Sequence, residues 1–194
     1  MTVSDTKTAP GKLETVREFI NTLDVESGAD DLATPEAFRG WLLDHGLVAE
    51  GCEVDSHDVA HAIELRESLR AMALANNEAA PAIPDRVSRG VADAAERAGL
   101  VLRVQPDASI SLDAAAPGAS GALGRLLTVV YDAMGEGSWR RLKACRNDTC
   151  QWAFYDHSKN RSGHWCSMEG CGNQVKARAY RARRKGASAS AGSS

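Results

Sequence analysis

Residues 142–185 read LKACRNDTCQWAFYDHSKNRSGHWCSMEGCGNQVKARAYRARRK, and they hold four of the five cysteines in the 194-residue chain. Cys145, Cys150, Cys166 and Cys171 follow the pattern C-x4-C-x15-C-x4-C. Zinc takes four soft ligands in a tetrahedron, each sulfur at about 2.3 Å. Each C-x4-C loop can bring two thiolates to one side of an ion. The 15 residues between Cys150 and Cys166 can form a hairpin that folds the second pair onto the first. The pattern therefore predicts one structural Zn²⁺. Four thiolates leave no open coordination position, which argues against hydrolytic or deaminase chemistry at the ion. They also make His157 or His164 unnecessary as ligands. Disulfides are the bland alternative. Two equal spacings in a small basic module favour metal.

The rest of that stretch surrounds the ion. Residues 151–155 are strand-like, with Trp152 and Phe154 on one face. Residues 156–163 form a turn-rich tip that carries Lys159, Asn160 and Arg161. Residues 168–185 read as a helix whose first turn supplies Cys171, where the helix dipole favours a thiolate. Val175, Ala179 and Ala182 fall on one side and can pack on the hairpin. Lys176, Tyr180, Arg183 and Arg184 fall on another, flanked by Arg178 and Arg181. A helix with one packed face and basic remainder suits a DNA groove or a line of phosphates. Guanidinium groups pair with phosphate and read guanine. Lys159, Arg161, Lys176, Arg178, Tyr180, Arg181, Arg183 and Arg184 are the candidate nucleic-acid contacts. The alternative is a solvated charged face that touches nothing.

Charge separates this stretch from what precedes it. Residues 1–139 hold 11 Lys and Arg against 23 Asp and Glu, a balance of −12. Residues 140–194 hold 12 against 3, a balance of +9. Four thiolates and one Zn²⁺ add −2, so the module keeps about +7. The tail is attracted to polyanions and the front is repelled by them. Apolar content of 43% and charged content of 25% are ordinary for a globular protein. No apolar run approaches the ~20 residues that span a bilayer. The first 11 residues lack a basic segment followed by an apolar core, so no secretory signal is expected. A cytoplasmic location follows as the expectation.

The front part reads as mainly helical. Leu13, Val16, Phe19, Ile20 and Leu23 recur at helical spacing. Thr34-Pro35 marks an N-cap followed by proline at the first helical position. Asp55 or Ser56 opens a long helix through Ile63, Leu69 and Met72 that ends near Asn76 and Asn77. Another helix runs from about residue 85 to 98, stopped by Gly99. Residues 100–105 and 109–113 read as a β-hairpin turned at Pro106-Asp107. Residues 114–120 read as a flexible joint. Leu123, Leu126, Leu127, Val130, Tyr131 and Met134 line an amphipathic helix that Gly135 and Gly137 end. The expected fold is α+β. Residues 12–135 form a mainly helical domain with a small β-hairpin, and residues 140–185 a zinc finger of hairpin and basic helix. Residues 1–11 and 186–194 are expected to be disordered.

The residues around the cysteines carry a resemblance. They are Leu142-Lys143-Ala144-Cys145, Trp152-Ala153-Phe154-Tyr155-Asp156, Asn160-Arg161-Ser162, Trp165-Cys166-Ser167-Met168 and Cys171-Gly172-Asn173. Together they resemble the CGNR zinc-finger family over about 45 residues. One departure is visible: Gln174 stands where that signature ends in arginine, so the charge and the bidentate fork are lost. Phe19-Ile20-Asn21-Thr22-Leu23-Asp24 and the order of helices resemble the ABATE domain that usually precedes this finger. The resemblance implies a bacterial, stress-related transcription regulator that is not an enzyme. With the basic helix, the reading is that the finger binds DNA, and the front domain is expected to sense a small molecule or to mediate assembly, a homodimer included.

Other signals are weaker. His57 and His61 lie four apart and echo the zincin pattern, but Asp58 replaces its glutamate and no third ligand follows. Cys52 reads as an isolated thiol. Asn21 and Thr22 fit buried backbone partners better than a ligand pocket. No phosphate-binding or nucleophile-elbow motif occurs. Two rivals to DNA binding stay open: RNA binding, and a redox sensor whose thiolates release zinc on oxidation.

Overall fold

The computed structural model describes residues 7–77, 82–178, 180 and 181. Its elements are α1 (Leu13–Ile20), α2 (Pro35–Asp44), α3 (Ser56–Ala75), α4 (Asp85–Arg97), β1 (Leu100–Val104), β2 (Ile110–Ala114) and α5 (Gly118–Glu136). A 3-10 turn (Trp139–Arg141), β3 (Leu142–Ala144), β4 (Ala153–Tyr155) and a π-helical turn (Met168–Gly172) follow. The fold is α+β, as expected. Among the described residues no helix is long and apolar enough to cross a membrane.

Local chemistry starts the helices where the sequence placed them. Thr34 Oγ1 accepts from Ala37 N at 3.2 Å, with Pro35 at the first position of α2. At α3, Asp55 Oδ1 accepts from His57 N and Asp58 N, and Asp58 Oδ2 accepts from Asp55 N in return. This capping box satisfies donors that a helix start leaves unpaired. It also explains the acidic residue between His57 and His61.

Helix α3 is central. Val59, Ala62, Leu65, Leu69 and Ala73 are buried on it, and it packs against α1, α2, α4, α5 and β3. It also buries two arginines. Arg66 grips Asp30 with both terminal guanidinium nitrogens, Nη1 at 2.6 Å and Nη2 at 3.0 Å, and donates Nε to Glu67 at 2.9 Å. Arg70 donates to Ile20 O at 2.6 Å and to Glu67 at 3.0 Å. A buried charge persists only when paired in this way.

Residues 114–120 are not a flexible joint. Helix α5 begins at Gly118, and Ala119, Gly121 and Ala122 are buried. Small residues here mean close approach instead of freedom. A Cβ on Gly124 would lie 2.4 Å from Ala98 Cβ and 2.8 Å from Ala114 Cβ. Both neighbours are fixed to backbone, so neither can swing away. Alanine gains about 1 kcal/mol of helix propensity over glycine, but overpacking costs about 1–3 kcal/mol. Gly124→Ala is therefore expected to lower the urea midpoint. A midpoint at or above that of the parent chain contradicts this packing.

Strands β1 and β2 pair antiparallel, Leu102 opposite Leu112 and Val104 opposite Ile110. Strands β3 and β4 form a second hairpin, Leu142 opposite Tyr155 and Ala144 opposite Ala153. The partner of β4 thus precedes Cys145. The hairpin straddles the first cysteine loop instead of forming within the 15-residue interval. Its residues Leu142, Ala144 and Ala153 are fully buried in the core that α1 and α3 build.

Four side chains of the helical part hold this second hairpin by its backbone. Asn76 Nδ2 donates to Trp139 O and Leu142 O, both at 2.9 Å. Asn77 Nδ2 donates to Ala144 O at 2.9 Å. Asn21 accepts from Ala153 N at 2.7 Å and donates to Ala153 O at 2.9 Å, as a neighbouring strand would. Arg70 Nη1 donates to Gln151 O at 3.0 Å. Asn21 therefore serves backbone partners.

The expectation of disorder in residues 1–11 fails from residue 7 onward. The Lys7 ammonium sits 4.5 Å from the centre of the Phe154 ring, and Thr8 O bonds His157 Nε2 at 2.8 Å. Ala9 is buried. A cation over an aromatic face needs no periodicity in the sequence. Residues 1–6 and the tail 186–194 lie outside the described residues.

Candidate metal centre and basic surface

Strands β3 and β4 set the first cysteine loop. Cys145 N donates to Trp152 O at 2.9 Å and closes the hairpin above it. Within the loop, Asn147 O accepts from Cys150 N at 2.8 Å and from Gln151 N at 3.1 Å. Gln151 adopts a left-handed φ of 51° where the chain turns into β4. The second pair returns because Arg146 N donates to His164 O at 3.0 Å. Ser167 then caps the π-helical turn by accepting from Gly170 N at 3.2 Å, and that turn presents Cys171.

The tip between the pairs is tied from inside. Lys143, 1% exposed, donates Nζ to Asp156 Oδ2 at 2.9 Å, to Gly163 O at 3.0 Å and to Arg161 O. Burial alone would raise the Asp156 carboxyl. The Lys143 ammonium, the Ser158 hydroxyl and the Gly163 N–H outweigh it and hold Asp156 well below the usual carboxylate range. Arg141 Nη1 donates to Asp156 O and Ser158 O, each at 2.9 Å. Lys143 and Arg141 thus count toward the net charge of the tail but serve its structure.

The four Sγ atoms of Cys145, Cys150, Cys166 and Cys171 lie within 4.8 Å of one another. Cys150 and Cys166 are 3.6 Å apart, and Cys166 and Cys171 3.7 Å. A tetrahedron of sulfurs at about 2.3 Å from a central ion has edges near 3.8 Å. A disulfide needs about 2.05 Å, and all four cysteines are free. The protonation chemistry agrees. Hydrogen bonds from Cys150 and Cys166 hold Cys145 down to about 2. The same contact with Cys145 pushes Cys150 up to about 12, and Cys145 and Cys150 push Cys166 up as well. Four thiolates this close can coexist only around a cation, and the donor set suits one zinc ion. Among the described residues, no other group of three or more His, Cys, Asp or Glu side chains is close enough to hold an ion. His57 and His61 gain no third ligand there.

The candidate contacts are on the surface where the structure describes them. Lys159 and Arg161 are exposed at the tip, and Lys176, Arg178, Tyr180 and Arg181 are exposed on the helix that continues from the metal-ligating turn. Arg183 and Arg184 lie outside the described residues. Arg178 also reaches back to donate Nη2 to Asn147 Oδ1. Asn147 was missed at the level of sequence. An asparagine inside a C-x4-C loop reads as a turn former, and three of its side-chain partners, Cys171, Gln174 and Arg178, lie 24, 27 and 31 residues away.

Residues 141–184 match the model of the CGNR zinc finger, and residues 14–136 match ABATE, described as "Putative stress-induced transcription regulator". No curated protein matches the chain.

Proposed function

Because this chain belongs to the ABATE family and carries a CGNR zinc finger at residues 141–184, we propose that it is a cytoplasmic, non-enzymatic regulator of transcription that binds duplex DNA through that finger. When bound, zinc supplies a cross-link between two chain segments and no catalysis, since four thiolates fill its coordination. The observation that carries the reading is the exposed basic run Lys176, Arg178 and Arg181 on the helix that leaves the metal-ligating turn. The helix runs on directly from the turn that supplies Cys171. Lys159 and Arg161 add cations at the tip. The acidic remainder of the chain repels a polyanion, so contact is confined to this end.

The front domain, in this reading, sets the response. A surface cleft of about 740 Å³ lies between the loop at Gly46–Glu53 and Pro117, Gly118 and Arg125 on the α5 side. Its size suits a small molecule. Assembly into a homodimer would serve paired half-sites.

Each phosphate neutralised contributes about −0.9 to the slope of log K against log salt. Replacing Lys176 and Arg181 together by Gln is expected to reduce the slope by nearly 2 and to weaken binding uniformly across sequences. Fluorescence anisotropy with random duplex DNA measures both. An unchanged slope removes this helix from the interface. Structured RNA as competitor distinguishes duplex preference from binding to any polyanion.

A further inference from the structure

Asn147 is 2% exposed and lies inside the first cysteine loop. Its carboxamide faces two ways. Nδ2 donates to Cys171 Sγ at 3.5 Å and to Gln174 Oε1 at 3.4 Å. Oδ1 accepts from Thr149 Oγ1 at 3.2 Å and from Arg178 Nη2. Two donors and two lone pairs are the full capacity of a primary amide, and all four are used. One buried group therefore touches a metal-ligating sulfur, the residue after the Cys-Gly-Asn run, and a basic residue of the helix.

We propose that Asn147 is a positioning residue that locks the basic helix onto the metal centre. The lock depends on what stands at position 174. Gln174 supplies an acceptor, whereas arginine carries only donors and could not receive the Asn147 N–H. A donor on a ligating sulfur restrains its position, and loss of such outer partners lowers metal affinity by about 10–100-fold. The other half of the amide fixes Arg178, and with it residues 173–178, at a set angle to the ion. The consequence for nucleic acid rests on the DNA-binding reading above; the mechanical coupling does not.

The test uses the full chain loaded with Co²⁺ as a coloured substitute for zinc. Three variants separate the halves of the amide. Asn147→Ala removes both. Asn147→Asp keeps the acceptor for Arg178 and removes the donors to Cys171 and Gln174. Arg178→Met removes only the contact from Arg178. Asn147→Ala and Asn147→Asp are expected to bind metal about 10–100-fold more weakly in chelator competition and to shift the thiolate-to-cobalt absorption. Arg178→Met keeps the parent affinity and spectrum. Amide exchange over residues 173–178 is expected to speed up in Asn147→Ala and Arg178→Met, and to rise less in Asn147→Asp, which keeps the Arg178 contact but loses the one to Gln174. An Asn147→Ala protein with parent affinity and exchange overturns the proposal. If Asn147→Ala does not fold, Arg178→Met decides, since unchanged exchange in that variant also overturns it. Duplex titrations are read in parallel. Failure of the parent chain to bind DNA removes the nucleic-acid reading and leaves the metal and exchange results to judge Asn147.

Discussion

Cys166→Ser is expected to abolish zinc binding and to lower the melting temperature of the whole chain, the helical domain included. The reason lies in the shared core. Leu142, Ala144 and Ala153 of the second hairpin are fully buried against the helical part. Asn21, Arg70, Asn76 and Asn77 bond its backbone across that boundary. Metal binding and folding are coupled in small modules of this kind. At free zinc 1,000 times the dissociation constant, bound metal stabilises by about 4 kcal/mol. For a chain of this size, 1 kcal/mol moves the midpoint by about 2–4 °C, so the loss amounts to roughly 8–16 °C. The unfolding trace should stay a single transition in the parent chain, because the two parts have no separate cores. Helical ellipticity followed against temperature, with zinc counted by a chromogenic chelator, measures both effects. A variant that loses zinc but keeps its melting temperature would show that the finger folds apart from the helices.

The second large effect belongs to Lys143. Its ammonium is buried with Asp156 and two carbonyls, and it closes the tip that joins the cysteine pairs. Lys143→Met fills the volume but leaves Asp156 as an unpaired buried carboxylate. Breaking one side of such a pair costs about 3–5 kcal/mol. The midpoint is then expected to fall by roughly 6–20 °C. The pH dependence has a definite sign. Asp156 has its folded value depressed below the ordinary 3.8. Its contribution is fully present above that value and is lost as the pH falls below it. The difference in stability between parent and Lys143→Met chains should therefore be largest near neutrality and shrink in acid. Metal release in acid affects both chains and largely cancels in the difference. Chemical denaturation at several pH values tests this. A difference that grows in acid would contradict the pairing.

The sequence disclosed whatever is local or periodic. The cysteine spacing located the metal centre because ligand geometry constrains loop length. Thr34-Pro35 and Asp55 announced helix starts because capping needs particular side chains at particular offsets. Long-range pairing was hidden. Nothing in the local pattern says that Lys143 points inward, since the cation that balances Asp156 is 13 residues from it. The partner of β4 was misjudged because the short run Leu142–Ala144 gives too little alternation to read as a strand. The run 114–120 reads as flexible by composition, yet β2 ends at Ala114, α5 starts at Gly118 with Ala119 buried, and Gly124 one turn further on lets that helix approach Ala98 and Ala114 closely. Lys7 looked like part of a polar tail because its partner, Phe154, lies on the other side of the sequence.

The central claim is that one zinc ion orders a module that binds duplex DNA. The most direct test compares zinc-loaded and chelator-stripped full-length protein for binding to random duplex DNA across a salt series. Binding with a steep salt slope in the loaded protein, lost on stripping and restored by zinc, is the expected result. Absence of duplex binding by the loaded protein at low salt, or equal binding by the stripped protein, would contradict it.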